Sequence, residues 1–122
     1  MARSHEFGRQ CESLAAQYLE RLGWRILERN YRAGHREIDL IAQRGDCIAF
    51  VEVKGRQARR QGDPLEAINW RKRREIERVA RQWLARSGER NQTFRFDAIA
   101  VRIGPGGRAE LEHVPDAWRL SG

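Results

Sequence analysis

Asp39, Glu52 and Lys54 are the residues whose types and spacing point most directly to chemistry. Asp39 lies within Glu37-Ile38-Asp39-Leu40-Ile41, and the other two lie within Phe50-Val51-Glu52-Val53-Lys54. Residues two apart on a strand share a face, so Glu52 and Lys54 point the same way in an extended segment. Arg44-Gly45-Asp46 reads as a tight turn between the two segments, with Gly45 taking the positive φ of a type II′ loop. A two-residue Gly45-Asp46 loop makes Arg44 face Cys47, Asp39 face Glu52, and Glu37 face Lys54. Opposed side chains have Cβ atoms roughly 4.5–5.5 Å apart, and like charges so placed repel. A divalent cation removes that repulsion, and oxygen ligands suit Mg²⁺ or Mn²⁺. Lys54 beside the pair can hold or deprotonate a water and steady charge on an attacked phosphate, as in metal-assisted hydrolysis. A plainer reading stands beside this one, with Glu37–Lys54 an ordinary ion pair and Asp39 a turn cap. A bulge would shift the pairing by one residue.

These residues need a framework to position them. Residues 5–22 read as an amphipathic helix through Phe7, Cys11, Leu14, Ala15, Tyr18 and Leu22, stopped by Gly23. Glu12 sits at the edge of that apolar stripe, as a further metal ligand or an interfacial ion pair. Residues 24–31 form a candidate first strand with Trp24, Ile26 and Leu27 packing inward. Residues 37–43 and 47–54 are the strongest strand signals, and the second is almost continuously apolar, as in a central strand covered on both faces. Residues 55–63 read as a mobile basic loop. A long helix follows from Pro64 or Leu65 to about Ala85. Phe94–Ile103 alternates as a strand, and Pro105-Gly106-Gly107 turns the chain into a short strand near Ala109–His113. Strands flanking a long helix predict an α/β fold with a mixed central sheet and helices packed on it.

The long helix divides into two faces. Leu65, Ile68, Ile76, Val79, Ala80 and Trp83 fall on one side, and Arg71, Arg74, Arg78 and Arg81 on the other. The arginine side is either a solvated face or a phosphate track. Lys72 points into the apolar stripe, where a charge needs a partner or an open cleft. It reaches a carboxylate or a phosphate there, or its amine snorkels to water. Trp70, on the outer side, is placed to stack on a base or to fill a subunit contact.

The chain of 122 residues suits a single domain spanning 1–122. Twenty-four Lys and Arg against seventeen Asp and Glu give a net charge of +7, carried almost entirely by Arg. Arginine's planar fork suits phosphate, so nucleic acid is the expected partner. A basic surface kept for solubility or for an acidic protein is the alternative. Cys11 and Cys47 have no metal-ligand spacing and read as core or turn residues rather than a disulfide. No apolar run approaches a membrane span, and the N-terminus lacks a signal-peptide core, so no membrane partner and a cytoplasmic location are expected. His5 and His35 read as surface residues.

Taken in order, several motifs resemble the YraN-like family of bacterial proteins. They are Gly8-x-x-x-Glu12, Asn30-Tyr31-Arg32, the two segments around Asp39 and Glu52 through Arg56, Gly62-x-Pro64-x-Glu66-Ala67-Ile68 with Lys72, Phe96-Asp97, and His113. That family is related to archaeal Holliday-junction resolvases in the restriction-endonuclease-like PD-(D/E)XK superfamily. The resemblance implies a restriction-endonuclease-like core and a Mg²⁺ or Mn²⁺ site from Asp39 and Glu52, with Glu12 as an extra ligand. It implies Lys54 as the catalytic lysine and a nuclease acting on DNA, branched DNA in particular. Arg56, Arg71, Lys72, Arg74 and Arg78 are then the expected nucleic-acid contacts. Arg36 departs from the pattern, standing where the family usually has Gly. Resolvases work as dimers, so the resemblance implies a homodimer. A non-cleaving DNA- or RNA-binding module and a protein-interaction domain are the competing readings.

Overall fold

The run Ile48–Glu52 is buried without interruption, which requires cover on both faces of its strand. The computed structural model, which describes residues 2–56, 68–87 and 92–119, supplies that cover with one helix on each side of a sheet. In chain order the elements are α1 (Ala2–Arg21), β1 (Arg25–Ala33), β2 (Arg36–Arg44), β3 (Cys47–Arg56), α2 (Trp70–Ser87), β4 (Thr93–Ile103) and β5 (Ala109–Trp118). The sheet runs β1-β2-β3-β4-β5, with β3 central. Only β3 and β4 pair in parallel, and α2 lies between them in sequence, as a parallel crossover demands. This is the mixed α/β arrangement expected from the alternation of patterns.

The helix α1 packs Cys11, Ala15, Ala16 and Leu19 against Leu40, Ala42, Ala49, Val51, Ile99 and Val101. Alanines on both partners let the helix lie close to the strands. Trp24 precedes β1 instead of belonging to it, and is buried in the same cluster. On the other side, Ile76, Val79, Ala80 and Trp83 of α2 meet Ile38, Ile41, Phe50, Phe96 and Trp118. Phe96 and Trp118 stack at 5.1 Å between centroids, and Trp83 meets Phe50 edge-on at 5.8 Å. Cys11 and Cys47 are free thiols, and burial pushes Cys11 up to about 11, which keeps it inert at neutral pH. Among the described residues no helix is long and apolar enough to cross a membrane.

Three expectations need correction. Residues 68 and 69 are not helical, and α2 begins at Trp70, because Asn69 caps it by accepting the Lys72 backbone N–H on Oδ1 at 2.9 Å. The expected start at Pro64 or Leu65, Leu65 on the apolar stripe, the 62–67 part of the motif and the 57–63 part of the basic loop lie outside the described residues. Gly55 and Arg56, expected in that loop, instead extend β3. The last strand runs on to Trp118, since a register shift between Phe96 and Ala98 and a positive φ at Asp116 absorb Pro115.

Gly55 is where α1 crosses β3 most closely. A Cβ there would fall 2.4 Å from the Phe7 ring and 2.8 Å from the buried Cys11 sulfur. Gly55→Ala is therefore expected to lower stability by about 1–3 kcal/mol, the usual scale of overpacking. A denaturation midpoint unchanged from the parent would show that α1 moves aside freely.

Candidate active site

The β2–β3 hairpin sets the first part of the site. Gly45 has φ 61° while Asp46 does not take a positive φ, as a type II′ loop requires. The expected register holds from Arg44↔Cys47 to Leu40↔Val51. Beyond that point Asp39 Oδ2 accepts the Val53 backbone N–H at 2.7 Å. Ile38 packs in the α2-side cluster and Leu40 in the α1-side cluster, so β2 rotates at Asp39. The two strands part there, and the Asp39 carboxylate takes over a backbone donor that would otherwise lack a partner.

Into this opening project Glu52 and Lys54, and the N-terminal turn of α2 closes it from above. Together with Asp39, Lys72, Asn69, Arg71, Arg36, Glu37, Glu75 and His35 they line a cleft of about 520 Å³. Lys72 Nζ lies 2.8 Å from Glu52 Oε2, whose side chain is only 4% exposed. That settles the place of the lysine on the apolar stripe: its charge meets a buried carboxylate. Arg36, expected to depart from the resembled pattern, pairs with Glu75 at 2.6 Å and so bridges β2 to α2 across the cleft wall. His35, read as a surface residue, is exposed but belongs to this lining. Neither role was visible in the spacing, because both depend on the helix-to-sheet contact.

Electrostatics sets Asp39 and the two lysines apart from ordinary side chains of their kind. Burial, then the neighbouring charge of Glu52, holds the Asp39 carboxyl far above the usual carboxylate range, and Glu12 adds a smaller push. Asp39 thus favours a proton or a cation in its place. Burial and the charge of Lys72 make Lys54 easier to deprotonate than an ordinary lysine. Burial works the same way on Lys72, but Glu52 outweighs it and holds its proton more tightly. The result is one lysine fit to carry a proton away and one fit to stay cationic.

The other expected site residues are distributed more widely. Glu12 lies on α1 outside the cleft lining, with Asn30 donating to its Oε1 at 3.1 Å. Among the described residues no group of three or more His, Cys, Asp or Glu side chains stands ready to hold a metal ion. Arg56 lines a separate hollow with Arg102, Glu110 and Glu112. Arg71 lines the cleft, and Arg74, Arg78 and Arg81 are exposed along α2.

On the α1 side of the sheet, Asp97, His113 and Tyr18 form a second polar cluster. His113 Nε2 lies 2.7 Å from Asp97 Oδ2, and its Nδ1 lies 3.0 Å from the Tyr18 hydroxyl. The neutral tautomer with hydrogen on Nε2 satisfies both contacts. His113 is thereby tied into the fold rather than into the cleft.

The features above define a mixed α/β domain with a carboxylate–lysine cleft at one end of its central strands. The chain belongs to the Uncharacterised protein family UPF0102, whose family model matches residues 11–101, the YraN-like group its motifs resemble. It is 43% identical over 118 residues to a UPF0102 protein of Rhodococcus jostii (strain RHA1), covering 97% of this chain and 100% of the relative. A UPF0102 protein of Alkaliphilus metalliredigens (strain QYMF) is 48% identical over 101 residues, covering 83% and 89%. One from Chlorobium chlorochromatii (strain CaD3) is 47% identical over 118 residues, covering 93% and 91%.

Proposed function

We propose that the cleft is the catalytic centre of a Mg²⁺- or Mn²⁺-dependent endonuclease acting on branched DNA in the cytoplasm. In this reading the fold is a restriction-endonuclease-like core related to the archaeal Holliday-junction resolvases. The observation that carries it is the meeting of Asp39, Glu52 and two lysines where β2 and β3 part, on a chain of net charge +7. The donor set fits a hard divalent cation, since both carboxylates offer oxygen and Asp39 already favours a positive occupant. Asp39 and Glu52 would hold the ion, which supplies polarisation of the scissile phosphate. Glu12, whose charge also acts on Asp39, would be the extra ligand, its Oε1 accepting from Asn30.

The chain's own residues account for the remaining chemistry. Water oxygen forms the new bond to phosphorus, one phosphodiester P–O bond breaks, and the departing oxygen takes a proton from solvent water, leaving a phosphate monoester and a hydroxyl. Lys54, with its lowered affinity for a proton, takes the proton from that water. Lys72 stays cationic and faces the charge that grows on the phosphate. Arg71 at the cleft wall and the exposed arginines of α2 neutralise flanking phosphates.

A cleavage assay on labelled duplex, single-stranded, flap and four-way-junction DNA tests this, with Mg²⁺, Mn²⁺ or EDTA. Metal-dependent product is expected, strongest on a branched substrate. Asp39→Ala and Glu52→Ala are each expected to lose about 10²–10³-fold or more in rate, with DNA binding kept. Equal rates in variant and parent overturn the proposal.

A second reading has its own support. The Lys72–Glu52 pair at 2.8 Å already neutralises the buried carboxylate without a metal. A non-cleaving nucleic-acid-binding module would keep such a pair. Tight, salt-sensitive binding with no product in any metal would favour it.

A further inference from the structure

We propose that Trp70, the first residue of α2, is a stacking platform for an unpaired nucleobase at the mouth of the cleft. The inference rests on the nucleic-acid reading above and narrows the substrate to strands with an unpaired base beside the reacting phosphate. Trp70 is 66% exposed, whereas Trp24, Trp83 and Trp118 are 3%, 7% and 8% exposed. An indole left in water while its three counterparts are buried has no role in the core. It is nevertheless held in place, because the Arg74 guanidinium lies over its ring at 5.0 Å from the centroid. The cation covers one face of the ring, and the residue's exposure leaves indole surface open to solvent.

Position gives that open surface a purpose. Trp70 stands between Asn69 and Arg71, both of which line the cleft, and two residues before Lys72, whose ammonium meets Glu52. Trp70 and Lys72 are ~3 Å apart along the helix axis but about 200° apart around it. The ammonium therefore faces the cleft, and the indole stands on the outer side of the same first turn. A strand whose phosphate reaches Lys72 has to pass the N-terminal end of α2, and a flanking base meets the indole there. Stacking suits such a site because every base offers a π face and none has to be read by hydrogen bonds.

Charge selects the occupant. Arg71, Arg74, Arg78 and Arg81 are exposed on the same helix at spacings of three and four. A polyanionic strand is attracted along that row, while a two-fold contact with a second copy would set the row against itself.

The test measures affinity by fluorescence anisotropy in EDTA, where cleavage does not intervene. The labelled probes are an oligo-dT strand, an abasic sugar–phosphate strand of equal length, and a blunt duplex. Trp70→Ala is expected to weaken dT binding about 5- to 150-fold and to leave the abasic strand and the duplex nearly unchanged. Trp70→Phe is expected to restore most of the loss. Intrinsic fluorescence should be quenched on dT binding in the parent, and that signal should vanish in both variants. Equal dT affinity in parent and Trp70→Ala overturns the proposal, as does an equal loss on all three probes. Self-association of the parent that disappears in Trp70→Ala overturns it in favour of a dimer contact. A parent that binds none of the probes overturns the nucleic-acid reading itself. Selective dT binding by a protein that cleaves nothing overturns the nuclease proposal alone and leaves the stacking site standing.

Discussion

Asp97→Ala is expected to lower stability by about 3–5 kcal/mol, the scale seen when one partner of a buried ion pair is removed. The Asp97 side chain has no exposed surface and gathers contacts from both ends of its neighbourhood. Arg95 lies 3.0 Å from Oδ1 and 3.1 Å from Oδ2, His113 Nε2 lies 2.7 Å from Oδ2, and the Asp116 backbone N–H donates to Oδ1 at 3.0 Å. Removing the carboxylate leaves a guanidinium, an imidazole and a backbone donor without their acceptor. It also releases the last turn of β5 from β4 and loosens the link through His113 to Tyr18 of α1. Domains of this size have only about 5–15 kcal/mol to lose. The corresponding fall in Tm is roughly 10–20 °C. Asp97→Asn keeps an acceptor for Asp116 and should fall between the two. Urea denaturation at neutral pH checks this, and a loss under about 1 kcal/mol would mean the cluster is incidental to the fold.

The same residue sets a pH dependence. Burial acts to raise the Asp97 pKa, but His113, the Asp116 N–H and Arg95 together hold it below the ordinary value. The unfolded chain therefore takes up this proton first as acid is added. The stabilisation is complete above the unfolded value of about 4 and is lost as pH falls from there through the folded value. Stability of the parent should drop on acidification below about pH 4 more steeply than that of Asp97→Asn.

What was legible in the sequence was local. The apolar run Cys47–Val53 announced a strand covered on both sides, and β3 is the centre of the sheet. The two-residue loop at Gly45-Asp46 fixed the hairpin register as far as Leu40↔Val51. Past that pair the register gives way to a side-chain contact, Asp39 to Val53 N–H, which no alternation pattern records. Lys72 was legible as an anomaly, a charge on an apolar stripe, but its partner lies across a helix-to-sheet contact. The Asp97 cluster joins residues 16 and 95 positions apart for the same reason. Pro115 hid the second half of β5, since a proline in a run argues against strand until a register shift is seen to absorb it. The cap at Asn69 was hidden because Ile68 continues the apolar stripe of the helix across it.

Lys54→Met and Lys72→Met are expected to fail in different ways, although both remove a cation from one cleft. Under the nuclease reading, Lys54 is the group with lowered proton affinity, and its loss removes the acceptor for the water's proton. The expected effect is about 10²–10⁴-fold in cleavage rate, with the response to metal unchanged. Lys72→Met keeps the packed stem but withdraws the ammonium 2.8 Å from Glu52, leaving two carboxylates facing each other in a buried opening. Because the Lys72 side chain is 38% exposed, water screens part of that loss, and about 1–3 kcal/mol of stability is expected to go in EDTA. A divalent cation supplies the missing charge, so Mn²⁺ should raise the Tm of Lys72→Met more than that of the parent. Thermal unfolding of both variants across a Mn²⁺ series reads this without any turnover. If Mn²⁺ raises neither Tm, Asp39 and Glu52 are not a metal site, and the lysine is the permanent counter-ion of a cleft that binds without cutting.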